Sequence, residues 1–167
     1  MQLRNNTICS ITLLFFSIIF ASQSVDAQKI RSRSKVLESL TTKAGVLKLI
    51  RIDDYDIGET NWVVLLNGRM LYRTQDDVFG SVRLHTVFKG LASRDAVLMQ
   101  ETFNPGGPSQ FRIINLPAKG QATVTERFGV LEPIITQDMK QITFSFAGKP
   151  GVKPDTWIYQ NGVLTKQ

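Results

Sequence analysis

Asn61-Trp62-Val63-Val64-Leu65-Leu66-Asn67-Gly68-Arg69-Met70-Leu71-Tyr72-Arg73 consists of two apolar runs joined by Asn-Gly. A two-residue hairpin turn needs positive φ at both central positions, and Asn-Gly meets that need at the lowest steric cost. The stretch therefore predicts a β-hairpin with Trp62 opposite Arg73. Asn161-Gly162 repeats the signal near the C-terminus and places Trp157 opposite Lys166. In each hairpin a cation then lies beside an indole face, a contact worth about 0.5–1 kcal/mol at an exposed site.

The first hairpin is apolar on both sides. One face carries Val63, Leu65, Met70 and Tyr72 and is expected to be core. The other carries Trp62, Val64, Leu66 and Leu71, with Arg69 and Arg73 at its ends. Such a hairpin is either covered twice or presents a patch to a partner. The covered arrangement is favoured, with residues 34–42 as the cover and loops as the binding surface. In the alternative, Trp62, Val64, Leu71, Arg69 and Arg73 are the contact residues.

Outward from this hairpin, short β-branched and aromatic runs alternate with turn signals from Gly45 to the end of the chain. Strands are expected at 46–52, 61–66, 69–73, 81–89, 96–103, 110–116, 122–128, 141–146, 156–160 and 163–166. No stretch beyond residue 45 keeps a 3.6-residue apolar period, which argues against βαβ units. The fold class is all-β: a single antiparallel sandwich or curled open barrel of roughly 8–10 strands, with a short N-terminal arm or helix. The domain spans 45–167. Residues 28–44 form a basic arm, in which Lys29, Arg31, Arg33 and Lys35 alternate with Ile30, Ser32 and Ser34. Ser34 is positioned to cap a short helix through Leu40.

Residues 1–27 read as a signal peptide. Arg4 supplies a basic start, Ile8 to Ala21 an apolar run, and Val25-Asp26-Ala27 a small-residue cleavage site. The run is shorter than the about 20 apolar residues that span a bilayer, so no transmembrane segment is expected in the mature chain. Processing removes one basic residue, Arg4, and one acidic residue, Asp26, so the net charge of +6 is unchanged. The single cysteine, Cys9, leaves with the signal and lacks the context for lipid attachment. A mature chain without cysteine is held by packing alone, in a compartment where small domains often use disulfides. The expected location is periplasmic or secreted.

Several segments imitate chemistry. His85 is the only histidine and alternates with Arg83 and Lys89 on the polar side of its strand. The loop Asp53-Asp54-Tyr55-Asp56-Ile57-Gly58-Glu59 resembles an oxygen-rich calcium loop. Its third ligand position is glycine, however, and no closing glutamate follows. Asn104-Pro105-Gly106-Gly107-Pro108-Ser109 looks like a phosphate loop but leads into a strand rather than a helix N-terminus. Asp54, Asp56, Pro105, Gly106 and Gly107 are therefore kept as loop contact candidates. No catalytic, metal or cofactor residue is assigned. The basic residues are spread over most strands without an aromatic-basic stacking motif, which argues against nucleic acid as partner.

Leu-Asn-Gly-x-x-x-Tyr-Arg (66–73), the Gly-Gly loop (106–107), Thr-x-x-Phe-Gly (125–129) and Trp-x-Tyr-x-Asn-Gly-x-Leu-Thr (157–165) together resemble a loose group of small uncharacterised exported bacterial β-proteins. That resemblance implies no activity. Group members often carry cysteines near the Gly-Gly loop and after Phe-Gly, where this chain has none.

The expected function is that of an exported non-enzymatic binding or accessory protein of the cell envelope. It would act by contact with a protein or an anionic envelope component. The alternatives are a periplasmic immunity protein or enzyme inhibitor, and a hydrolase using the acidic loop or His85. Export is directly checkable: mass spectrometry of the secreted or periplasmic protein should find Gln28 at the N-terminus, and retention of residues 1–27 would contradict it.

Overall fold

The computed structural model describes residues 32–55, 58–74, 80–91, 93–104, 106–148 and 153–167. The expected signal peptide, the first residues of the basic arm, Asp56 and Pro105 lie outside the described residues. Among the described residues, twelve strands form three four-stranded antiparallel sheets, each a meander in chain order, and none closes into a barrel. The N-terminal sheet comprises β1 (Ser32–Thr42), β2 (Gly45–Asp54), β3 (Glu59–Leu66) and β4 (Arg69–Arg73). The middle sheet comprises β5 (Ser81–Leu91), β6 (Arg94–Thr102), β7 (Ser109–Pro117) and β8 (Thr123–Val124). The C-terminal sheet comprises β9 (Pro133–Gln137), β10 (Gln141–Phe146), β11 (Asp155–Gln160) and β12 (Val163–Lys166).

Two apolar cores stack these sheets into three layers. Leu47, Leu49, Trp62 and Val64 of the N-terminal sheet meet Val82, Leu84, Val97, Met99, Ile114 and Leu116 of the middle sheet. On the opposite face, Ala96, Leu98, Phe111 and Ile113 meet Ile142, Phe144, Phe146 and Tyr159 of the C-terminal sheet. Successive residues of β6 thus enter different cores, and Ala96-Val97-Leu98-Met99 is buried without a break. That continuous apolar run is the signature of a strand covered on both faces. The β5 strand serves both cores through register shifts between Leu84 and Val87 and between Phe88 and Leu91. A bulge of this kind changes which face the following side chains occupy. Val82 and Leu84 consequently enter the first core, while Phe88 and Leu91 enter the second.

Both Asn-Gly turns are present. Asn67 and Gly68 have φ of 51° and 80°, and Asn161 and Gly162 have 54° and 87°. In the second hairpin Trp157 pairs with Lys166, whose ammonium lies 5.6 Å from the indole centroid. The first hairpin slips by one residue between Val64 and Leu65, so Arg73 faces Val63 instead of Trp62. Trp62 receives its cation from β2 instead, where Arg51 pairs with it and lies 5.7 Å from the ring. The slip also moves Tyr72 opposite Val64, onto the core side. Met70 keeps its expected place opposite Leu65. This face, expected to be core, is turned away from the first core, which takes Trp62, Val64 and Leu66 instead, and Met70 is exposed.

The N-terminal segment differs from expectation. Residues 32–42, read as a solvated arm with a short helix from Ser34, form the strand β1, paired with β2 along its length. A helix this short is marginal in water, whereas pairing satisfies the segment's backbone through a long ladder. Glu38 adds a further tie by accepting the Leu84 N–H at 2.9 Å. The segment therefore lies beside β2 in one sheet and does not cover the hairpin. The middle sheet covers Trp62 and Val64. Strand β9 is not among the strands expected from the sequence, because proline opens this short run and Thr136 and Gln137 close it with polar residues. The expected strand at 122–128 shortens to β8, followed by an isolated bridge between Phe111 and Phe128.

Since Trp62 is core at 6% exposure, Trp62→Ala should lower stability by about 3–5 kcal/mol, the usual cost of truncating a buried large aromatic. Denaturant unfolding checks this, and an unchanged midpoint would contradict the assignment of Trp62 to the core.

Candidate functional site

Glu101 is the centre of a buried charged cluster among the described residues. It occupies the same face of β6 as Val97 and Met99 and is fully buried. Removing a carboxylate from water is costly unless charged partners and hydrogen bonds replace the solvent. Four contacts do so here. The Tyr72 hydroxyl donates to Oε1 at 2.7 Å. Arg112 Nε lies 3.2 and 3.3 Å from the two carboxylate oxygens. Arg127 Nε donates to Oε2 at 2.7 Å.

Each partner is positioned by a different element. Tyr72 reaches the carboxylate from β4 because the bulge turns it to the core side. Arg112 lies on β7, with its guanidinium 5.0 Å from the Tyr72 ring centroid and Nη1 donating to the Thr125 carbonyl at 2.7 Å. Arg127 precedes Phe128, whose backbone exchanges two hydrogen bonds with Phe111 at 2.9 and 3.1 Å. The Arg127 guanidinium also lies 5.0 Å from the Phe103 ring centroid. Burial and the neighbouring Glu101 carboxylate push the Tyr72 hydroxyl up to about 12, and the two arginines only partly offset this. Tyr72 therefore remains a hydrogen-bond donor at every physiological pH.

The outer side of this cluster opens into a cavity of about 550 Å³, lined by Leu71, Arg73, Arg112, Glu126 and Arg127 among others. At Met70 and Leu71 it meets a second hollow of about 620 Å³, which runs past Leu66, Asn67 and Arg69 to the 117–122 segment. Together they form a groove along β4, the last strand of the N-terminal sheet, and beside β8, the last strand of the middle sheet. Among the described residues, four arginines line it against one glutamate, with Glu101 buried behind them.

The structure distributes the sequence-derived candidates unevenly. Arg69, Leu71 and Arg73 line the groove. Trp62 and Val64 lie in the first core and present no contact surface. Asp54 ends β2 opposite Glu59. Its neighbour Asp53 is held by Arg51 at 2.7 Å and Thr60 at 3.0 Å, and the Arg51 guanidinium keeps its carboxyl below the usual range. Gly106 and Gly107 sit in the loop between β6 and β7, where the Gly107 N–H closes a turn on the Asn104 carbonyl at 2.8 Å. Among the described residues, no group of three His, Cys, Asp or Glu side chains converges.

His85 is exposed and hydrogen-bonded to Gln100. Gln100 in turn donates to Ser109 at 2.6 Å, and Ser109 lies 3.1 Å from the Thr102 hydroxyl. This polar row crosses β5, β6 and β7 away from the groove. Sequence reasoning missed Tyr72, Glu101, Arg112 and Arg127 as a unit. The available signal was a single charged residue in each of two expected strands, Glu101 in 96–103 and Arg112 in 110–116.

Removing one member of a buried ion-pair network leaves the others uncompensated. Glu101→Gln should therefore cost about 3–5 kcal/mol in denaturant unfolding. The raised Tyr72 pKa means that the folded state holds this proton more tightly than the unfolded chain does. Its contribution to stability is fully present below pH 10.0 and is lost as pH rises towards about 12. Absorbance titration of Tyr72→Phe should show one fewer late-ionising tyrosine than the parent protein; an unchanged titration would contradict the Tyr72–Glu101 pairing. No family model, no curated protein and no solved structure matches this chain, so its functional reading rests on the groove.

Proposed function

We propose that the protein is an exported, non-enzymatic binding module of the cell envelope, and that the groove along β4 receives an anionic, extended segment of its partner. The carrying observation is the placement of Arg69, Arg73, Arg112 and Arg127 along one open groove with Met70 and Leu71 between them. Guanidinium groups suit carboxylate and phosphate because their donors form a planar fork. Glu101 and the Thr125 carbonyl hold Arg112 from behind, so part of the ordering cost of binding is met before a ligand arrives. The overall charge of +6 favours encounter with the same class of partner.

The groove's chemistry suits recognition better than turnover. Both oxygens of Glu101 are engaged by Tyr72, Arg112 and Arg127, which leaves this carboxylate poorly placed to act as a base. Recognition is through side chains. β4 is five residues long, bulged and flanked by arginines, features that blunt a strand edge against pairing with a foreign strand.

Co-sedimentation with a purified envelope fraction tests the proposal. Arg69→Glu/Arg73→Glu should weaken retention about tenfold or more at low salt, the scale set by roughly 1.4 kcal/mol of lost complementarity. Binding by the parent protein should fall steeply as salt rises. Equal retention of the two proteins would overturn the groove as the contact surface.

A further inference from the structure

The chain contains two Asn-Gly steps in the same left-handed turn geometry, and their surroundings differ sharply. Asn67 is locked. Its side-chain nitrogen donates to the Ala44 carbonyl at 2.9 Å, and its side-chain oxygen accepts the Val46 N–H at 2.9 Å. Its own N–H bonds the Val46 carbonyl at 2.9 Å. Gly45 passes so close to this amide, at φ 123°, that no Cβ would fit between them.

Asn161 has none of this. Its side chain is exposed and makes no hydrogen bond to the described residues. Its hairpin ends in β12, which is four residues long and, among the described strands, has a neighbour on one side only. Short edge elements of this kind open locally at low free energy. Gly162 lies against the guanidinium of Arg94, which would meet a Cβ at that position.

We infer that Asn161 is a site of spontaneous deamidation and that Asn67, with the same following residue, is protected by the fold. The step is intramolecular. The Gly162 backbone nitrogen loses its proton and bonds to Asn161 Cγ, the Cγ–Nδ2 bond breaks, and ammonia leaves. Water then opens the succinimide at either carbonyl to give aspartate or isoaspartate, with no oxidant or reductant involved. Glycine admits the attack because it carries no side chain. The asparagine must swing its side chain back over the turn, a motion open to Asn161 and blocked for Asn67 by two hydrogen bonds.

The product has a defined neighbour. Arg94 lies against Gly162 and lines the same small cavity as Asn161, and its Nη1 donates to Asn115 Oδ1 at 3.3 Å. Asn115 Oδ1 also accepts the hydroxyl of the buried Tyr159 at 2.8 Å. Deamidation therefore lowers the net charge by one and offers Arg94 a stronger, charged acceptor in place of a neutral one.

Native full-length protein is incubated at mildly alkaline pH, sampled over time and digested with trypsin. Lys-Pro bonds resist cleavage, so the two turns fall in the peptides 52–69 and 141–166. Conversion of amide to acid, with isoaspartate as its marker, should appear in 141–166 about tenfold or more faster than in 52–69, the factor expected of two hydrogen bonds of ordinary net strength. A parallel incubation in concentrated urea should bring the two rates together. Equal rates in the native protein, or a difference that survives in urea, would overturn the inference.

Discussion

A middle sheet that is apolar on both faces constrains everything else in this structure. Ala96, Val97, Leu98 and Met99 are consecutive and all buried, so β6 cannot exist at a surface and demands cover from two directions. The meander before it supplies one cover and the meander after it the other. Each sheet is built from strands adjacent in sequence, so long-range order is confined to two sheet-to-sheet interfaces. β5 shows the constraint locally, since its register shifts let one strand feed both cores.

Glu101 follows from the same arrangement. Because it shares the face of Val97 and Met99, folding carries its carboxylate beneath the N-terminal sheet at the edge of the first core. Such a charge is tolerable only with charged partners close by. Arg112 arrives from the neighbouring strand, Arg127 from the segment pinned to Phe111, and Tyr72 from the overlying sheet. The cluster thus ties the outermost strand of one layer to three segments of the next. The groove arises where the two sheets end at β4 and β8, and it inherits the arginines that Glu101 gathers.

Identical local signals acquire different meanings in the assembled fold. Asn67 and Asn161 both form left-handed turns, yet Asn67 also clamps the β1–β2 turn with both ends of its amide. The two tryptophans diverge likewise. Trp157 meets Lys166 across its own hairpin, as simple turn counting requires, while a one-residue slip takes Trp62 away from Arg73 and gives it to Arg51.

The sequence by itself determined the all-β class, both hairpin turns, most strands and the pairing of Trp157 with Lys166, because alternation and positive-φ turns are written in neighbouring residues. It also placed Arg69, Leu71 and Arg73 on one hairpin. Only the tertiary structure decided that residues 32–42 are a strand, since their polar, weakly patterned side chains gain order from the β2 backbone rather than from their own burial. It alone decided which hairpin face is core, because both faces are apolar and only the packing of the middle sheet chooses between them, while a one-residue bulge carries Tyr72 across without any mark in composition. The union of Tyr72, Glu101, Arg112 and Arg127 was hidden for the same reason. Opposite charges far apart in sequence become a site only when packed sheets bring them within hydrogen-bond distance and exclude the water that would otherwise separate them.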